Sequence, residues 1–229
     1  MINQARISKD RKKELEQPDP FLESLYRGIA RVKEYKKQLI LTAGVFVAIV
    51  CIVSVTVFAI RSSDARASVM LAEALAMYDN NNPVEGYEAV KETFNSMLDE
   101  YPNTTSGRMA TIRFADICYA AGHYQSAHDH YKEALRHYDG DPVIRDIVLY
   151  SLGHTCQALK MNKEAEEYFT RLAGRESSLM RLDGIFQLGM LAIERGESSK
   201  GIELMKKIED QGSDSMYREM AEAIIARNN

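Results

Sequence analysis

Between Leu39 and Ile60 the chain reads LILTAGVFVAIVCIVSVTVFAI, a run with no charge and nothing more polar than Thr42, Ser54 and Thr56. As a helix rising about 1.5 Å per residue, such a run reaches roughly 33 Å, enough to cross a hydrocarbon core of about 30 Å. It predicts a single transmembrane helix over 39–60. The competing reading is a cleaved signal peptide, and the ARA at Ala65–Ala67 offers small residues in the required arrangement. A signal core is about 7 to 15 residues long and follows a short basic stretch. Here a 38-residue tail precedes a full-length span, which favours an uncleaved anchor.

Charge divides the chain at the same place. Residues 1–38 hold ten Lys and Arg against six Asp and Glu, whereas residues 62–229 hold eighteen against twenty-seven. Arg27, Arg31, Lys33, Lys36 and Lys37 precede the span and only Arg61 and Arg66 closely follow it. This bias predicts a cytoplasmic tail and a body on the outer side. The acidic body argues against a nucleic-acid partner, which would require positive charge to displace phosphate counterions.

Residues 1–20 are polar and end in PDP, so a disordered tail is expected. From 21 to 38, Phe21, Leu22, Leu25, Tyr26, Ile29 and Val32, with Tyr35 as a continuation, recur at helical spacing among Lys and Arg. That pattern predicts a basic amphipathic helix at the inner membrane surface. In the body, five prolines in the whole chain and abundant Ala, Leu, Glu, Lys and Met favour helix almost throughout.

The body repeats itself. Ala115, Gly153 and Gly189 each follow a large apolar residue (Phe114, Leu152, Leu188) and recur 38 and then 36 residues apart. Twelve positions after each comes Ala127, Ala165 or Gly201, and four beyond those Tyr131, Phe169 or Met205. Small residues let paired helices approach closely, and the large residue four positions on fills the space beside the small one. Gly122 and Gly196 fall where a left-handed residue ends the first helix of a pair, and Lys160 stands in that place between them. This pattern resembles the tetratricopeptide repeat, which implies an all-α fold: one N-terminal transmembrane helix followed by a helix-turn-helix solenoid over 64–229. An earlier, less regular pair is expected from ARASVMLAEALAMYD and VKETFNSMLDEY, joined by a long NNNPVEG turn. Met216–Ala226 is expected to cap the other end.

GHYQSAHDHYKEAL, residues 122–135, places three of the five histidines within eight positions. The core stripe of that helix is expected to be Ala127, Tyr131, Ala134 and Leu135. His128 and His130 lie about 200° apart around the axis, so they cannot share a metal ion and are expected on a polar outer face. Cys118 and Cys156 occupy equivalent packing positions on neighbouring helices, expected about 8 to 10 Å apart, too far for a ready disulfide. No hydrolase elbow, phosphate loop, HExxH or CxxC occurs. A catalytic, cofactor or metal site and a small-molecule substrate are therefore not expected.

Function then falls to the concave face. The repeat resemblance implies a groove lined by Ile112, Arg113, Asp116 and Tyr119, then Ile147, Tyr150, Ser151, His154 and Gln157, then Asp183, Phe186, Gln187, Met190 and Ile193. The Lys/Asn/Arg clamp by which some tetratricopeptide domains hold acidic tails is absent, since Asp116, Ser151, His154 and Gln187 stand in its place. The lining suits an apolar peptide or partner helix. A short basic tail, one N-in span and an acidic tetratricopeptide body together resemble the YfgM-like ancillary SecYEG translocon subunit family. That resemblance implies a bacterial inner-membrane protein whose periplasmic domain links the Sec translocon to a membrane-anchored periplasmic chaperone or to nascent chains. A tetratricopeptide scaffold for cell division or outer-membrane biogenesis is the alternative.

Overall fold

The computed structural model describes residues 20–211 and 216–228. The expected disordered tail lies outside these residues except for Pro20, which opens the first helix, a position where its missing N–H costs nothing. All the regular structure described is helical: α1 (Pro20–Glu34), α2 (Lys36–Asp79), α3 (Pro83–Glu100), α4 (Thr105–Ala120), α5 (Tyr124–His137), α6 (Pro142–Ala158), α7 (Asn162–Ala173), α8 (Arg181–Glu194), α9 (Ser198–Gln211) and α10 (Met216–Asn228). These residues fall into two compact units, one ending at Ala59 and one beginning at Ile60.

In the first unit, α1 carries Phe21, Leu22, Leu25, Tyr26 and Ile29 on one exposed face, while Arg27 pairs with Glu23 at 3.1 Å. Val32, expected on the same face, lies outside the described side chains. Helix α2 is long and apolar enough to cross a membrane, and its large side chains from Ile40 to Ile60 are exposed. Thr42 and Thr56 turn their hydroxyls back to the carbonyls of Gln38 and Ile52, which removes their polar cost along an apolar run. The span and the first helix of the body were expected as separate helices. Arg61–Ala65 is instead helical, and α2 is unbroken to Asp79.

In the second unit, Ala67 and Ala74 of α2 are fully buried with Val90, Phe94 and Met97 of α3. The turn between α2 and α3 is shorter than expected, because Asn82 caps α3 through the Glu85 amide and Pro83 begins it, so VEG is helical. Three hairpins follow: α4 with α5, α6 with α7, and α8 with α9. Each hairpin places its small residues against the large one. A Cβ added to Gly153 would lie 2.4 Å from the Phe169 ring, and one added to Gly189 would lie 2.6 Å from Met205. Ala115 and Ala127 are fully buried where α4 meets α5, with Tyr131 beside them.

The three interhelical turns are one structure repeated. The amides of His123, Met161 and Glu197 reach the carbonyls of Cys118, Cys156 and Ala192 at 2.8, 2.8 and 2.9 Å. Those of Gly122, Lys160 and Gly196 reach Tyr119, Gln157 and Ile193 at 3.0, 2.9 and 2.9 Å. This pair of bonds is the Schellman motif, which requires a left-handed residue at its centre. The φ values there are 84°, 59° and 82°, so Lys160 takes the conformation its glycine counterparts take freely.

Packing corrects the reading of the histidines. His128, expected on the outer face, is buried at 7% exposure, whereas Leu135 is only half-buried. His130 is half-buried with its ring 4.9 Å from Phe114, and His123 lies 4.2 Å from the Tyr87 ring. Burial holds His130 below the usual histidine range. Cys118 and Cys156 are buried free thiols, pushed up by burial to about 12 and about 11 respectively.

Candidate functional site: the face of α4, α6 and α8

The first helices of the hairpins bring Tyr119, Tyr150, Ser151 and His154 around a pocket of about 300 Å³, with Tyr131 of α5 contributing to its wall. Tyr119 stands at the rim, 36% exposed and edge-on to Tyr124. Tyr150 and His154, one turn apart on α6, meet edge to face at 4.4 Å, and both rings back onto Phe169. The Gly153–Phe169 contact therefore places not only a core ring but also the inner wall on which the pocket's aromatic pair rests.

Polar groups beneath the rings are arranged in two tyrosine–aspartate pairs. The Tyr131 hydroxyl donates to Asp116 Oδ1 at 2.6 Å, and the Tyr217 hydroxyl donates to Asp183 Oδ1. Burial raises both tyrosines strongly, and the neighbouring carboxylates reinforce the shift. Burial also raises Asp116, opposed by the bond from Tyr131 and by Arg113, whose Nη1 lies 3.6 Å from Asp116 Oδ2. His154 is held below the usual histidine range, first by burial, with Gln157 and Asp183 acting in the other direction. Its Nε2 is buried and has no hydrogen-bond partner among the described residues.

The other residues expected in the groove are distributed differently. Arg113 and Ile147 are exposed, and Gln157, Met190 and Ile193 are half-buried. Ile112 is buried in the core formed by α2, α3, α4 and α5, and Phe186 is buried at 6% exposure with its ring 5.4 Å from Tyr217 of α10. Met190 packs in that same α8–α10 cluster, and Ile193 packs on Gly201, where a Cβ would meet its Cγ1 at 2.4 Å. Phe186 is thus removed from the aromatic strip by the terminal helix. Tyr131 and Tyr217 join the site from outside the expected set. A tyrosine at a core position signals this, because its hydroxyl needs a partner wherever the ring is buried. Among the described residues no group of three or more His, Cys, Asp or Glu is arranged to hold a metal ion.

Solved structures resemble this architecture. A tetratricopeptide repeat protein from Parabacteroides merdae superposes with a TM-score of 0.58 at 14% identity, over 73% of this chain and 60% of that one. A putative kinesin light chain from Podosopora anserina, with nearly identical TPR-like repeats, gives a TM-score of 0.57 at 16% identity, over 72% of this chain and 86% of that one. The fold is a tetratricopeptide-like solenoid. The chain spans about 60% of the length of the first of these neighbours. No protein-family model matches the sequence, and no curated protein matches it.

Proposed function

We propose that the chain is a non-enzymatic adaptor, held in the bacterial inner membrane by residues 39–60, whose solenoid over 64–229 binds proteins on the periplasmic side. The observation that carries this reading is the pocket of Tyr119, Tyr150 and His154 on the helices that line a solenoid's inner face, following a single apolar helix in the same chain. The charge bias across that helix favours a cytoplasmic N-terminus. The apolar face of α1, rich in exposed Phe, Leu, Tyr and Ile and flanked by cations, suits the inner membrane surface. The resemblance to the YfgM-like family supports a finer role, in which the solenoid docks beside the Sec translocon and passes emerging chains to a membrane-anchored chaperone.

Photocrosslinking from position 119 in native membranes, read by mass spectrometry, tests the partners. Translocon subunits and a periplasmic folding factor are expected. Adducts confined to cell-division or outer-membrane assembly proteins would move the chain to a scaffold of those machineries.

A further inference from the structure

On the reading that this face binds protein, we infer that the pocket between Tyr119 and Tyr150 receives the guanidinium of an arginine from the partner polypeptide. Three tyrosine rings and one imidazole line it, and no Lys or Arg is among the lining residues. Ring faces attract a cation placed within about 6 Å. Asp116 accepts from Tyr131 of the lining, Asp183 lies close enough to act on Tyr150 and His154, and Arg113, over half exposed, is turned to Asp116. The surrounding body carries twenty-seven acids against eighteen bases from residue 62 onward, so long-range charge favours the same sign of ligand.

Charge sharpens the choice. An apolar occupant would gain nothing from the carboxylates of Asp116 and Asp183, which act on the lining rings. A carboxylate would enter against the like charges of Asp116 and Asp183. A guanidinium is planar, stacks on aromatic faces and is more weakly hydrated than an ammonium, so it can lie against the rings while keeping its charge near the carboxylates. About 300 Å³ holds that head group and part of its stem.

The test uses the full chain in lipid nanodiscs, with ring-labelled histidine. The five histidines give five Cε1–Hε1 cross-peaks, and His154→Gln identifies the relevant one. The probes are acetylated, amidated pentapeptides Gly-Gly-X-Gly-Gly with X as arginine, citrulline, leucine or glutamate. The arginine peptide is expected to shift the His154 peak saturably, and citrulline, equal in shape but uncharged, to bind at least about tenfold more weakly. Tyr150→Phe retains the ring and the binding, and Tyr150→Leu loses at least about tenfold. Unchanged peaks from the other four histidines report intact folding. Should Tyr150→Leu disturb them, Tyr119→Leu at the rim replaces it. Leucine or glutamate binding as tightly as arginine, or no shift with arginine at roughly 10 mM, overturns the inference. Either result leaves the adaptor role standing, because crosslinking detects partners whatever side chain they present.

Discussion

Lys160 holds a left-handed backbone at φ 59° where its counterparts are glycines. A side chain in that conformation costs about 1 kcal/mol, partly offset by the greater freedom glycine regains on unfolding. Lys160→Gly is therefore expected to stabilise the body by up to about 0.5 kcal/mol, and Gly122→Ala or Gly196→Ala to destabilise it by about 1 kcal/mol, measured by chemical denaturation. Gly153→Ala should cost at least about 1 to 3 kcal/mol, since its Cβ would start 2.4 Å from Phe169. His128→Ala should cost about 1 to 3 kcal/mol as a buried residue, and a value near zero would return it to the surface. Spacing showed Ala127, Tyr131 and Ala134 but not His128, for a physical reason. Helix α5 packs on both α4 and α6, so its buried arc is wider than one apolar stripe and extends to the histidines at its two edges.

Helix termini in the body are satisfied by side chains from elsewhere as well as by their own caps. The Gly107 amide donates to Thr104 Oγ1 at 2.9 Å, while the Ser106 amide donates to Asp64 Oδ1 of α2 at 2.8 Å. Asp64→Ala is expected to cost about 1 kcal/mol, in the range of lost helix caps, although the residue is 42 positions away in sequence. Gly107→Ala should be more severe, because its Cβ would fall 1.8 Å from the Tyr101 carbonyl oxygen. A similar tie closes the turn after α7, where Arg175 Nη1 donates to buried Asp146 at 2.8 Å. Neither tie was legible in the sequence, since no local pattern marks a carboxylate whose partner lies 29 or 42 positions away on another element. The helix pairs themselves were legible, because burial against a neighbour on a fixed repeat imposes small and large residues at fixed offsets. The boundary at Arg61–Ala65 was not, since charged residues there are compatible with both a linker and a continuing helix.

For the whole molecule, pH is a reporter of the packed histidines. Burial holds His130 and His154 below the ordinary histidine value, so unfolded chain takes up protons that the folded chain does not as pH falls below about 6.5. Stability of the body is expected to rise from pH 5 to pH 7, with His130→Gln and His154→Gln each reducing the slope; an unchanged slope in both variants would contradict their burial. The fold class was legible from one apolar run and one recurring pattern, but the binding face was only partly so. Ile112 and Phe186 share the spacing of groove residues, yet whether such a position faces partner or core depends on what the neighbouring elements cover. For Phe186 that cover is α10, which among the described residues packs chiefly on α9 and more lightly on α8. A helix held by so few neighbouring elements opens locally at lower cost than one packed on both sides, without unfolding the rest. The Phe186–Tyr217 contact is therefore a hinge point for fraying: amides of α10 should exchange with deuterium earlier than those of α6, and each opening uncovers, for its lifetime, an aromatic surface absent from the closed form.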